Sequence, residues 1–204
     1  MNRSLLALLT LACLTSPVLG QDETPLALGS PAPMRDVMMK STDGKEHSIS
    51  SVAGRKGTLV VFTCNTCPYA KAWEDRIAAL GNAALKRGIG VIAVNSNDPG
   101  RNAGDSYDEM VARAKKLGLK FPYAVDETSD LARAFGASAT PEVFLFDAKG
   151  MLVYHGTVDD NMRDPKAVKA PWLRQAVDAV AAGRTVATAQ TKAMGCSIKF
   201  RAKS

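Results

Sequence analysis

Two cysteines separated by two residues, Cys64-Asn-Thr-Cys67, are the side chains of this chain best suited to chemistry. The spacing is about one helical turn, which puts the second sulfur within bonding reach of the first. A thiolate at one position can attack a disulfide and form a mixed disulfide, which the other thiol resolves. Thr58 to Thr63 is an apolar, β-branched run of strand length, and Tyr69, Trp73, Ile77 and Leu80 then recur on one helical face. Pro68 is tolerated only in a first helical turn, so a helix begins close to Cys67, with Cys64 at or just before its positive end. Unpaired N–H groups and the helix dipole at such a point lower a cysteine pKa from about 8.5 to roughly 3.5–7.5. Cys64 is therefore predicted to be the nucleophile and Cys67 the resolving thiol.

The remaining elements are those needed to hold a strand-to-helix junction. His47-Ser-Ile-Ser50 and the stretch from Val37 to Met39 flank Asp43-Gly44, a hairpin signal. Ile89 to Asn95 reads as a second buried strand, and Tyr107, Met110, Val111, Ala114 and Leu117 as a helix closed by Gly118. Phe121 to Val125 is a short strand, and Leu131 to Phe135 a short helix stopped by Gly136. Ala139 to Asp147 is a strand containing Pro141, and Ala148-Lys-Gly150 turns it into Met151 to Gly156 as an antiparallel hairpin. Trp172 to Val180 gives a last amphipathic helix, and the tail around Gly195-Cys-Ser-Ile198 is apolar enough to pack back on the domain. Alternating strands and helices predict an α/β fold: a central mixed sheet flanked by helices, with an N-terminal β-hairpin extension. Met34, Met38 and Met39 are assigned to packing, because nothing in an extended segment makes their thioethers converge on a metal.

The 204 residues suit one domain. Residues 1–20 read as a signal peptide: Arg3 supplies the positive charge, Leu5 to Leu14 the apolar run, and Gly20 ends a stretch suited to cleavage. Residues 21–33 are an extended lead-in and residues 34–204 the domain. The protein is thus expected in an exported setting, periplasmic or secreted. Lipid attachment at Cys13 is the weaker alternative, because Thr10-Leu-Ala-Cys13 lies very early and lacks the usual leucine. No stretch is long enough for a membrane span. Without Arg3 the chain keeps 25 basic and 20 acidic side chains, a scattered excess that does not imply nucleic acid. The mature cysteines are Cys64, Cys67 and Cys196, an odd count that argues for a redox centre over a disulfide scaffold. A zinc site would need about four ligands, and one more cysteine with two scattered histidines does not supply them.

With a strand, a CxxC helix, Thr140-Pro141 before a strand and a closing hairpin and helix, the chain resembles the thioredoxin superfamily in its alkyl hydroperoxide reductase/thiol-specific antioxidant (redoxin) branch. Phe62-Thr-Cys-Asn-Thr-Cys-Pro-Tyr69, Asn95-Ser-Asn-Asp98, Phe121-Pro-Tyr123, Phe144-Leu-Phe-Asp147, Val158-Asp-Asp-Asn161 and Gly195-Cys-Ser-Ile-Lys199 resemble an uncharacterised peroxiredoxin-like family over residues 25–201. The resemblance implies a thioredoxin-like fold and a cis Pro141 beside the cysteines, with Thr140 offering backbone hydrogen bonds to an extended substrate segment. No cofactor and no metal is expected. Two departures bear on mechanism. The threonine that typical peroxiredoxins carry three residues before the reactive cysteine is Val61 here, and no arginine is assignable to polarise a peroxide. The buried acid that typical thioredoxins carry six residues before the first cysteine is Thr58, and Glu74 and Asp75 are read as a solvated helix face.

Cys196 is weighed as a second resolving thiol against a buried, inert one. His155 admits a copper-binding reading, against which stands an ordinary strand-face histidine. The function expected is an exported thiol–disulfide oxidoreductase whose partners are protein or small-molecule disulfides and thiols. A peroxiredoxin-like thiol peroxidase is the second reading, and a copper-binding or thiol-buffering module without turnover the third. Oligomeric state and the direction of electron flow are left open.

Overall fold

The apolar run ahead of the cysteines forms the middle strand of a five-stranded sheet in the computed structural model, which describes residues 24–203. Residues 1–20, expected as a signal peptide, and with them Cys13, lie outside the described residues. A short hairpin comes first, β1 (Met39–Lys40) and β2 (Glu46–His47), antiparallel around Gly44, whose φ of 78° is the left-handed conformation glycine adopts freely. β3 (Gly57–Phe62) then runs into α1 (Pro68–Lys86), followed by β4 (Ile89–Asn95), α2 (Tyr107–Leu117), β5 (Tyr123–Val125) and α3 (Asp130–Phe135). The stretch from Ala139 to Asp147 is not one strand. Its peptide bond between Thr140 and Pro141 is cis, and the chain divides there into β6 (Ala139–Thr140) and β7 (Glu142–Asp147). β8 (Leu152–Gly156), α4 (Trp172–Ala181) and a terminal strand β9 (Cys196–Ser197) complete the chain.

The sheet order is β5-β4-β3-β7-β8, with β3, β4 and β5 parallel and β7 and β8 antiparallel, so the sheet is mixed. Every residue of β3 and β4 is buried, as the unbroken apolar runs require of strands covered on both faces. Alternation divides the core. Leu59, Val61, Val91, Val143 and Leu145 pack under Trp73 and Ile77 of α1 and Leu173 and Val177 of α4. Val60, Phe62, Ile92, Val94, Phe144 and Phe146 face Leu131 and Phe135 of α3, with Met39 and Ile49 from the hairpin side. Phe62, Phe135 and Phe144 meet edge to face at centroid separations of 5.1 to 5.7 Å.

Two peripheral segments are more tightly built in than their sequence suggests. The hairpin is tied to β5 by a bridge from Ser41 to Ala124 and by the Thr42 N–H, which donates to the Tyr123 carbonyl at 3.0 Å. The lead-in is docked too: Leu26 N–H donates to Phe135 O at 2.9 Å, and Gly29 and Ser30 pair with Leu152. Of the three clustered methionines, Met39 is core, whereas Met34 and Met38 are exposed.

Candidate redox site

β3 ends at Phe62, and the loop of residues 63–67 carries both cysteines to the C-terminal edge of the parallel strands. The helix begins where its sequence places it, close to Cys67: Cys67 is the N-cap of α1 and Pro68 its first residue, with Cys64 in the loop just before the positive end. Both cysteines are buried, and Thr140 binds both: its hydroxyl lies 3.2 Å from the Cys64 sulfur, and its carbonyl accepts from the Cys67 thiol at 3.1 Å. Thr140 and the cis Pro141 therefore sit beside the pair.

The two thiols titrate as a pair: their mutual interaction makes the first proton easier to lose and the second harder. Geometry divides the roles. The Cys67 thiol spends its proton on the Thr140 carbonyl, whereas the Cys64 sulfur faces the Thr140 hydroxyl, a donor suited to a thiolate.

Asn65, which looks like a neutral spacer in sequence, is locked on every side. Its N–H donates to Asp105 Oδ1 at 2.7 Å and its carbonyl accepts from Arg113 Nη2 at 3.1 Å. Its side-chain oxygen accepts from the Tyr123 hydroxyl at 3.1 Å, and its amide donates to the Gly104 carbonyl at 3.0 Å. Asp105 also accepts from Thr66 Oγ1 at 2.7 Å and from Asn97 Nδ2 at 3.0 Å, so one buried carboxylate fixes the backbone between the sulfurs. Nothing in the local sequence announces Asp105 or Arg113 as site residues, and Tyr123 stands out there only as part of the Phe121-Pro-Tyr123 motif, because the three come from elements joined only by the fold. Removing the carboxylate in Asp105→Ala orphans a buried N–H and two side-chain donors. That is expected to cost about 2–3 kcal/mol and lower the melting temperature of the reduced protein by about 5–10 °C in a thermal unfolding scan. A shift under about 2 °C would show that Asp105 does not hold the loop.

Glu74 is not a solvated side chain. It pairs with Arg113 at 3.1 Å, and both line a cavity of about 30 Å³ beside Cys64. Asp75 is exposed. An arginine thus reaches the site, although its charge is shared with Glu74. His155 is buried against Glu142, Nε2 to Oε1 at 2.6 Å, and stacks on Phe144 at 4.5 Å. Among the described residues no group of three or more His, Cys, Asp or Glu side chains converges as a metal site. The Asp159 carboxylate of the Val158–Asn161 segment binds Trp73 Nε1 at 2.8 Å and Arg76 at 2.6 Å, holding that loop to α1.

The redoxin family profile matches residues 27–170, the span that contains the pair, Thr140 and the whole central sheet. The chain belongs to the redoxin family. A thiol-disulfide oxidoreductase ResA from Geobacillus thermodenitrificans is 28% identical over 151 residues, covering 72% of this redoxin and 81% of that protein. A hypothetical protein, SMc02350, from Sinorhizobium meliloti shares 33% identity and superposes with a TM-score of 0.80 over 88% of this chain and 97% of its own. A thioredoxin-like protein solved in its oxidised form has a TM-score of 0.61 at 19% identity, over 78% of this chain and 99% of that one, a likeness of fold. The α/β sandwich of this redoxin is thioredoxin-like, with a mixed central sheet.

Proposed function

We propose that this redoxin is an exported thiol–disulfide oxidoreductase in which Cys64 and Cys67 cycle between dithiol and disulfide. The observation that carries the reading is the convergence of both sulfurs on Thr140, with Cys67 at the N-cap of α1. The relative named as a thiol-disulfide oxidoreductase supports the class. Export rests on the sequence of residues 1–20.

Cys64 is the nucleophile and Cys67 the resolving thiol. The Cys64 thiolate attacks one sulfur of a substrate disulfide, the S–S bond breaks, and the leaving thiolate departs with its electron pair. Cys67, whose proton points at the Thr140 carbonyl, gives that proton to a departing thiolate and attacks the Cys64 sulfur of the mixed disulfide. The second substrate thiolate leaves, and the Cys64–Cys67 bond closes. Two protein electrons have reduced one external disulfide, and the cycle reverses with an external dithiol.

A second reading, thiol peroxidase, is favoured by one observation: the small cavity beside Cys64 lined by Arg113 and Glu74. Against it stand Val61, where peroxidases of the type carry a threonine, and Glu74, which already shares the charge of Arg113. The deciding measurement is the consumption of thiols in the reduced mature protein, mixed separately with oxidised glutathione and with hydrogen peroxide at equal concentration. The disulfide is expected to react at least about tenfold faster. Faster reaction with peroxide would overturn the assignment in favour of the peroxidase. For the copper or thiol-buffering reading the structure supplies no favouring observation, since His155 is already committed to Glu142.

A further inference from the structure

Cys64 and Cys67 are 6% and 4% exposed, and the C-terminal tail lies against them. This tail is held at both ends. Upstream, His155 N–H donates to the Ala189 carbonyl and Thr191 N–H to the His155 carbonyl, each at 3.0 Å, while Thr191 Oγ1 accepts from Thr157 N–H at 3.0 Å. Downstream, Ile198 N–H donates to the Ser138 carbonyl at 2.9 Å, Lys199 N–H to Asn97 Oδ1 at 2.8 Å and Arg201 N–H to Ser129 Oγ at 3.0 Å. Between the anchors β9 pairs antiparallel with β6, with Cys196 opposite Thr140 and Ser197 opposite Ala139. Gly195 lies flush on the Thr140 backbone, where a Cβ would collide with the carbonyl.

A free strand edge next to a reactive thiol is where an extended peptide from a partner would add. Here the chain's own tail takes that edge and brings a thiol with it. Cys196 packs on the cysteine pair, and it lies directly opposite Thr140, whose carbonyl meets the Cys67 thiol. Cys67 is thus flanked by two thiols, Cys64 on the sheet side and Cys196 on the tail. Of the three, Cys196 alone is not buried.

We propose that Cys196 is a third redox thiol, which exchanges with the Cys64–Cys67 disulfide through Cys67 and presents the disulfide to an external dithiol. This rests on the Cys64–Cys67 reading above. In the internal step Cys196 loses its proton and attacks Cys67 Sγ; the Cys64–Cys67 bond breaks as the Cys67–Cys196 bond forms. Cys64 leaves with the electron pair and takes up that proton, so no net oxidation occurs. In the external step a partner thiolate attacks Cys196 Sγ, the accessible sulfur, and Cys67 leaves with the electron pair of the broken bond and takes up the proton of the partner's second thiol. The partner's second thiol then attacks the mixed disulfide, freeing Cys196 and closing the partner's disulfide. The pair thereby acts on a partner without uncovering its own sulfurs.

The test is disulfide mapping in the mature protein, residues 21–204. Reduced wild type, Cys64→Ser and Gly195→Val are oxidised with oxidised glutathione, quenched in acid, alkylated and digested with trypsin. A Cys67–Cys196 bond joins the peptides 57–71 and 193–199. In Cys64→Ser the joined peptides are expected in more than about half of the molecules, and in wild type as a smaller fraction beside the closed pair. Gly195→Val, which lifts the tail while keeping all three thiols, is expected to lower the joined fraction at least about fivefold. A wild type that closes Cys64–Cys67, with a Cys64→Ser variant that stops at a glutathione adduct and leaves Cys196 alkylatable, overturns the relay and spares the pair. A wild type that forms neither a closed pair nor an adduct overturns both.

Discussion

Cys64→Ser is expected to reduce disulfide exchange by more than about 10³-fold. Cys67→Ser, by contrast, is expected to retain a stoichiometric burst of mixed disulfide with a small aromatic disulfide while losing turnover, because the attacking sulfur remains and the resolving one is gone. The reason lies in what each sulfur meets: the Cys67 thiol donates to the Thr140 carbonyl, and the Cys64 sulfur faces the Thr140 hydroxyl. The pH dependence follows with a definite sign. The native pair loses its first proton below the unfolded thiol value near 9. Stability of the reduced protein from that ionisation is therefore full above 9 and lost as pH falls through the lowered native value. The second proton is held more tightly and opposes it above 9, where the unfolded chain ionises a thiol that the native protein keeps protonated. Only the dithiol form carries this thiolate, so the same stabilisation favours the reduced state and makes the disulfide the more oxidising. If Cys64→Ser keeps the burst and Cys67→Ser loses it, the two roles are exchanged.

Glu142→Ala is expected to be the most damaging substitution outside the cysteines, at about 3–5 kcal/mol. Glu142 is 1% exposed and both of its carboxylate oxygens are engaged: Oε2 takes the N–H groups of Ser138 and Ala139 at 2.8 and 3.0 Å, and Oε1 meets His155 Nε2 at 2.6 Å. Alanine leaves those donors buried without partners, and an unmade buried bond costs far more than a made one contributes. Glu142→Gln keeps the shape and one acceptor and is expected to lose roughly 1 kcal/mol. Because the two N–H groups belong to the residues leading into Thr140, alanine also loosens β6 and with it the seat of the tail. The expected readouts are a melting temperature about 10 °C lower and faster alkylation of Cys64 and Cys67 in the reduced protein. Alkylation at the wild-type rate in a destabilised Glu142→Ala would separate stability from site geometry and remove Glu142 from the account of the site.

Much of this protein is legible along the chain because its signals are local. The strand-to-helix switch at the cysteines, the Asp43-Gly44 turn, the helix at Tyr107–Leu117 and the strand at Ile89–Asn95 each follow from periodicity and turn chemistry that neighbours within one element decide. The site's electrostatics could not be read that way. Which sulfur keeps its proton depends on Thr140, 73 residues beyond Cys67, whose carbonyl and hydroxyl meet the two sulfurs. Burial by the fold made Asp105 a clamp on Asn65, gave Arg113 and Glu74 to each other, and turned His155 into the partner of Glu142. Coulomb and hydrogen-bond energies act through space and grow as water is excluded, so they answer to which residues the topology juxtaposes. Cys196 shows the division most clearly. Its sequence announces a third thiol in an odd count, and only the pairing of β9 with β6 brings that thiol to the Cys67 sulfur.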